Sequence, residues 1–122
     1  MSDGDVQHHD VMPSADLLQE MLASKEEDPV VMVNLMKIKD QDELDRYVQM
    51  VAPLIVELGG SFEFSRPVAG NIVGDADWDT IALVRYPSRR AFAEMQLSDA
   101  YTIAVPHRIA GLERADVFVV KG

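Results

Sequence analysis

The nine residues from Val30 to Ile38 (Val-Val-Met-Val-Asn-Leu-Met-Lys-Ile) are apolar at both parities. Successive side chains of a strand point to opposite faces, so Val31, Val33 and Leu35 share one face while Val30, Met32, Met36 and Ile38 share the other. A β-branched run of this kind predicts a strand covered on both sides, not an edge strand facing water. Asn34 interrupts the run at its centre, on the methionine face.

The remaining elements follow from caps and periodicity. Ser14 can N-cap a short helix to about Ser24, with Asp16 in its positive first turn and Leu17, Leu18, Met21 and Leu22 as one stripe. Asp40 with Glu43 three residues on resembles a capping box. The long helix that follows carries Leu44, Tyr47, Val48, Val51, Ile55 and Leu58 at spacings of three and four. Pro53 is expected to kink it, and Gly59-Gly60 to end it. Ser61 to Arg66 and Val68 to Val73 predict a second strand, bent at Pro67 or Gly70, and Trp78 to Tyr86 a third. Ser88 caps a helix over 88–96. After Ser98-Asp99 another helical stretch runs to about Ala110, with Tyr101, Val105, Ile109 and Leu112 in register and Pro106 inside it. Val117 to Val120 predict the last strand.

The order is a leading helix and then β-α-β-β-α-β, within one domain spanning 29–122 behind a leader of residues 1–28. Two such units predict an α+β, ferredoxin-like sandwich: a four-stranded antiparallel sheet with helices on one face. That layout leaves the second sheet face bare, while the first strand is apolar on both. A second copy, related by a two-fold axis, would cover it.

Composition excludes several functions. The chain has 122 residues, 48% of them hydrophobic, and a formal net charge of −10, which suits one globular domain rather than a disordered chain. Residues 1–29 hold eight acids against Lys25 alone. With no basic stripe alternating with aromatics, nucleic-acid binding is disfavoured. There is no cysteine, which removes disulfides, thiolate metal sites and Cys nucleophiles. No apolar run reaches the roughly 20 residues of a membrane span, and the acidic start is no signal peptide, so a cytoplasmic location is expected. No phosphate loop, dinucleotide fingerprint or Gly-x-Ser-x-Gly elbow occurs, against nucleotide chemistry and serine hydrolysis.

The segment Pro29 to Lys37, the Gly59-Gly60 pair, Trp78-Asp79, Arg85-Tyr86-Pro87-Ser88-Arg89 and Tyr101 with His107-Arg108 together resemble a bacterial family. It is the domain of unknown function 1330 family of the dimeric α+β barrel superfamily, and the likeness covers about residues 29–121. The resemblance implies a ferredoxin-like protomer whose sheets meet across a homodimer. Superfamily members include cofactor-independent monooxygenases, muconolactone isomerase-like enzymes and haem proteins, and the family itself implies no one reaction.

Candidate site residues each carry two readings. Asn34 either orients a substrate carbonyl or bonds to neighbouring backbone, since a buried amide left unpaired costs about 1–3 kcal/mol. Asp79 is a general base raised by burial beside Trp78, or a turn carboxylate with Trp78 packed on the leader helix. Arg85, with Arg89 and Arg90 behind Ser88, forms an anion site at a helix start, or else the arginines of that helix pair with leader acids. Tyr101 and Arg108, two turns apart, share one helix face, and His107 lies about 100° to the side. His107 is a proton shuttle or a surface histidine. Arg108 clamps a carboxylate or ties its helix to Glu113 or Asp116. His8-His9-Asp10 lacks preorganised ligand geometry, so no metal site is expected there. The methionines (Met12, Met21, Met32, Met36, Met50, Met95) fall mostly on apolar stripes and fit core filling.

The expected function is a homodimer binding a small polar or anionic organic molecule. If catalytic, it is a cofactor-independent isomerase, lyase or monooxygenase. His107 or Asp79 would then move the proton, and Asn34, Arg85, Tyr101, Arg108 and Trp78 would hold the substrate. The alternative is a dimeric binding or interaction module without catalysis.

Overall fold

The computed structural model describes residues 11–122. Its elements are α1 (Ala15–Leu22), β1 (Val30–Ile38), α2 (Gln41–Glu57), β2 (Ser61–Pro67), β3 (Thr80–Tyr86), α3 (Arg89–Gln96), α4 (Asp99–Gly111) and β4 (Leu112–Lys121). The strands form one antiparallel sheet in the order β2-β3-β1-β4, with β1 inside. The helices pack on one face, giving the α+β, ferredoxin-like arrangement, and the sheet does not close on itself. Among the described residues no helix is long and apolar enough to cross a membrane.

Each helix begins on the side chain the sequence offers. Ser14 accepts from Leu17 N at 3.2 Å, Asp40 from Glu43 N at 3.2 Å, Ser88 from Ala91 N at 3.1 Å and Ser98 from Tyr101 N at 3.2 Å. These bonds satisfy first-turn N–H groups that have no partner within the helix. The Glu43 side chain does not close a capping box; it bonds Arg46 and His107 instead. Both α2 and α4 continue through their prolines, Pro53 and Pro106. Gly59, at φ 94°, takes the left-handed position just beyond α2.

Three boundaries differ from the sequence reading. The second strand stops at Pro67, and residues 68–79 form a connection in which Ile72 and Val73 are 98% and 92% exposed. The third starts at Thr80, because the turn held by Asp79 occupies the residues before it. The last strand begins five residues early, at Leu112, since Gly111 ends α4 where the chain turns directly into the sheet.

The two faces of β1 separate as their parities require. Val30 and Met32 are buried under the helices in the main core, with Val51 and Ile55 of α2, Phe92 of α3 and Tyr101 of α4, and Met36 is buried in a second cluster with Leu44, Ala82 and Leu112. Val31, Val33 and Leu35 lie on the opposite face, half-buried, beside Leu83 and Ile81 of β3 and Phe118 and Val120 of β4. No described element packs on that face. A bulge at Glu63 adds Phe64 to it: Phe62 pairs with Val84 on the helix side, whereas Phe64 pairs with Leu83 on the bare side.

Candidate functional site

Between the sheet and the helices lies a cavity of about 750 Å³, within the roughly 300–1,000 Å³ of small-molecule sites. Its floor is Met32, Asn34 and Met36 of β1 with Ala82, Val84 and Tyr86 of β3. Leu44, Tyr47, Val48, Val51 and Ile55 of α2, Phe92 and Gln96 of α3, and Tyr101 and Arg108 of α4 form its walls. Val11, Met12, Pro13, Leu17 and Met21 close one side from the leader, and Phe62, Val117 and Val119 extend it along the sheet.

The polar groups converge on Arg108. The side chain follows Tyr101 by two turns on the inner face of α4, and the residue is only 6% exposed. Its Nε donates to the Val11 carbonyl at 2.7 Å and an Nη donates to the Tyr47 hydroxyl at 3.4 Å, with the guanidinium 5.3 Å from the Tyr47 ring centroid. The Tyr47 and Tyr101 hydroxyls share a hydrogen bond of 2.7 Å, and their rings meet edge to face at 6.0 Å. Tyr86 stacks edge to face on Phe92 at 5.0 Å and makes no hydrogen bond among the described residues.

Charge in this pocket is unbalanced. Among the described residues no carboxylate pairs with Arg108. Burial works to lower its pKa, but the oxygens of Tyr47 and Tyr101 more than reverse this and the net shift is upward, so the guanidinium stays charged. Burial also raises the phenols of Tyr101 and Tyr86, which therefore stay protonated as neutral donors. Taking a cation out of water without an anion costs several kcal/mol. Phenol oxygens and one backbone carbonyl offset only part of that cost.

Two amides line the same space. Asn34 Nδ2 donates to Met32 O at 3.1 Å and to Ala82 O at 3.4 Å. Gln96 lies against the Tyr101 hydroxyl, and its Oε1 is buried without a hydrogen-bond partner, an arrangement costing about 1–3 kcal/mol.

The sequence candidates divide between this cavity and the rest of the surface. Asn34, Tyr101 and Arg108 line it, and so does Arg89, whose guanidinium pairs with Glu26. Arg108 turns inward, not toward Glu113 or Asp116. His107 faces α2, with Nδ1 2.6 Å from Glu43 Oε2, and does not line the cavity. Asp79 holds the end of β1: its Oδ2 accepts from Ile38 N at 2.8 Å, and Oδ1 lies 3.5 Å from Lys37. Trp78 packs under the Arg114 guanidinium, 4.5 Å from the ring centroid, not on the leader helix. Arg85 lies on the bare sheet face, bonded to Glu63 at 3.0 Å. Arg89 and Arg90 pair with Glu26 and Glu27 of the leader. His8-His9-Asp10 lies outside the described residues, among which no group of three metal-ligating side chains occurs.

Tyr47, Tyr86 and Gln96 are missing from the sequence candidates. Their signal was a hydroxyl or amide in an apolar stripe or at its edge, the same signal that singled out Asn34. A buried tyrosine needs a partner for its O–H, and Tyr47 sits in the middle of the α2 stripe.

Known proteins share this architecture. A protein of unknown function from Rhodopseudomonas palustris, RPA0582, superposes with a TM-score of 0.83 at 25% identity, over 92% of this chain and 95% of that one. SnoaB, a cofactor-independent oxygenase from Streptomyces nogalater, matches at TM-score 0.58 and 14% identity, over 78% and 93% of the two chains. A dimeric protein of unknown function and ferredoxin-like fold from Bacteroides fragilis matches at 0.53 and 10%, over 77% and 96%. At these last two identities the likeness shows the fold alone. No curated protein is similar enough in sequence to match. The model of the family described as domain of unknown function (DUF1330) matches residues 29–122, the stretch that supplies the sheet, both tyrosine-bearing walls and Arg108, and the chain belongs to that family.

Proposed function

We propose that the chain is a homodimeric binding protein for a small amphipathic organic anion. The apolar body would lie among the methionines and valines of the cavity, with its carboxylate or phenolate at Arg108. The observation that carries this reading is the buried Arg108 guanidinium, charged and without a carboxylate partner among the described residues, at the wall of an otherwise apolar cavity. Arginine's planar fork suits an oxyanion, and Tyr86 and Tyr101 add protonated hydroxyls nearby.

A ligand that binds only the folded form raises its melting temperature with concentration. Benzoate, phenylacetate and hexanoate at millimolar levels are expected to do so, and benzyl alcohol, which has no charge, to do so far less. Arg108→Met should retain a cooperative melt and lose the response to the acids. No shift with any acid, or an equal shift in Arg108→Met, would overturn the reading.

The homodimer rests on the bare sheet face, where Val33, Leu83, Phe64 and Phe118 form an apolar surface no described element covers. It is supported by a solved neighbour described as dimeric. The catalytic form of the reading is a cofactor-independent isomerase, lyase or monooxygenase. Among the described residues no histidine lines the cavity, and its one lining carboxylate, Asp45, is exposed and bonded to Gln41. Such chemistry would therefore draw on the substrate's own acidity, with the tyrosines and Arg108 stabilising the anion formed.

A further inference from the structure

We propose that Asn34 makes the site selective for organic acids that also carry a hydrogen-bond donor, so that its ligand class is the hydroxylated organic acids. The inference rests on the anion-binding reading and narrows it.

The donors and acceptors of the cavity do not balance. Arg108 and the tyrosines supply N–H and O–H groups for an oxyanion. Asn34 presents a carbonyl oxygen that nothing among the described residues uses. The orientation of Asn34 is fixed by its neighbours. Its Nδ2 faces the carbonyls of Met32 and Ala82, and turning the amide over would set an oxygen against two other oxygens. Oδ1 must therefore point away from the strand backbone, and Asn34 is on the strand face that lines the cavity. Gln96 Oε1 also lacks a partner among the described residues, but it has almost no accessible surface, so it faces protein atoms and not the open cavity.

A ligand bearing only a carboxylate would leave this oxygen without a donor while displacing water from beside it. A hydroxyl or amine on the ligand would satisfy it. Sites built to hydrogen-bond a substrate hydroxyl discriminate strongly against the analogue that lacks it. Steric fit alone would not distinguish a hydroxyl from a methoxy group of similar reach. Hydrogen-bond donation does, because the methoxy oxygen can only accept.

The test is calorimetric titration of benzoate, the three monohydroxybenzoates and the three methoxybenzoates into the wild-type chain and Asn34→Leu. In the wild type at least one hydroxybenzoate is expected to bind about tenfold more tightly than both benzoate and its methoxy counterpart. In Asn34→Leu that ratio should fall to near one. Asn34→Met replaces Asn34→Leu if the leucine variant does not melt cooperatively. Equal affinities throughout the wild-type series would overturn the inference and leave anion binding standing. So would a hydroxyl preference that persists in the Asn34 variant. Failure of every acid to bind the wild type would overturn anion binding, and this inference with it.

Discussion

Tyr101 shows how much one residue can hold. It is 1% exposed, its hydroxyl shares a hydrogen bond with Tyr47, and it sits two turns before Arg108. Burial raises its pKa above the ordinary phenol value of about 10. A group raised in the folded state contributes stability that is complete below its unfolded pKa and lost as pH climbs through the folded one. Stability should therefore decline above about pH 10, by up to about 1.4 kcal/mol per pH unit for each raised phenol. Tyr101→Phe is expected to cost about 1 kcal/mol at neutral pH and to flatten the alkaline decline. Urea unfolding at pH 7 and pH 11 measures both. Equal alkaline slopes for variant and wild type would contradict the account. Tyr101 and Arg108 were legible in the sequence because their seven-residue spacing on a helix puts them on one face. Which face was not legible. The apolar register was read through Tyr101, Val105 and Ile109, whereas the buried stripe runs through Tyr101, Ala104 and Arg108. An arginine on an inner stripe contradicts hydropathy, and only the cavity beside it accounts for the placement. His107 and Asp79 likewise had suitable chemistry, but spacing along a chain does not say what faces a void.

Helix starts were more legible than strand ends. Caps were read from Ser14, Asp40 and Ser88, and the last helix was placed after Ser98-Asp99, because a cap is a local bond between residues three apart. The Glu63 bulge was not, since it depends on what the neighbouring strand pairs with. Strict alternation would put Phe62 and Phe64 together, and the bulge sends one to the cavity and the other to the bare face. Val48, expected as core, is 41% exposed because its side of α2 faces the cavity and not a packed layer. The join of α4 to β4 packs closely on the start of α2. A Cβ at Gly111 would lie 2.7 Å from the Leu44 backbone nitrogen, so the first turn of α2 would have to move. Gly111→Ala is expected to destabilise by about 1–3 kcal/mol in urea titration. A change within experimental error would mean that α2 shifts freely.

At the scale of the whole molecule the bare sheet face decides the assembly. The both-sided hydrophobicity of β1 announced that face in the sequence, although one strand could not show how far it extends across the sheet. Phe118 is 50% exposed in the protomer and lies beside Val33 in register. Phe118→Glu would bury a charge between two copies while leaving a single copy solvated. Sedimentation at micromolar concentration should report a dimer for the wild type, and dimerisation at least about tenfold weaker for Phe118→Glu. A wild-type monomer would remove the homodimer from the proposed function and leave the cavity intact.

The Val11 carbonyl, outside the family-matched stretch of residues 29–122, holds the guanidinium proposed to meet an anion, and Val11, Met12 and Pro13 close one side of the cavity. If an acid binds beneath that segment, occupancy of the pocket and attachment of the segment are two ends of one equilibrium, and each changes the other by the same factor. A protease cutting at the exposed bend around Lys25 to Asp28 should work more slowly when a tightly bound acid is present. Removing residues 1–13 should in turn weaken that acid's grip, without taking away a single atom of the four-stranded sheet.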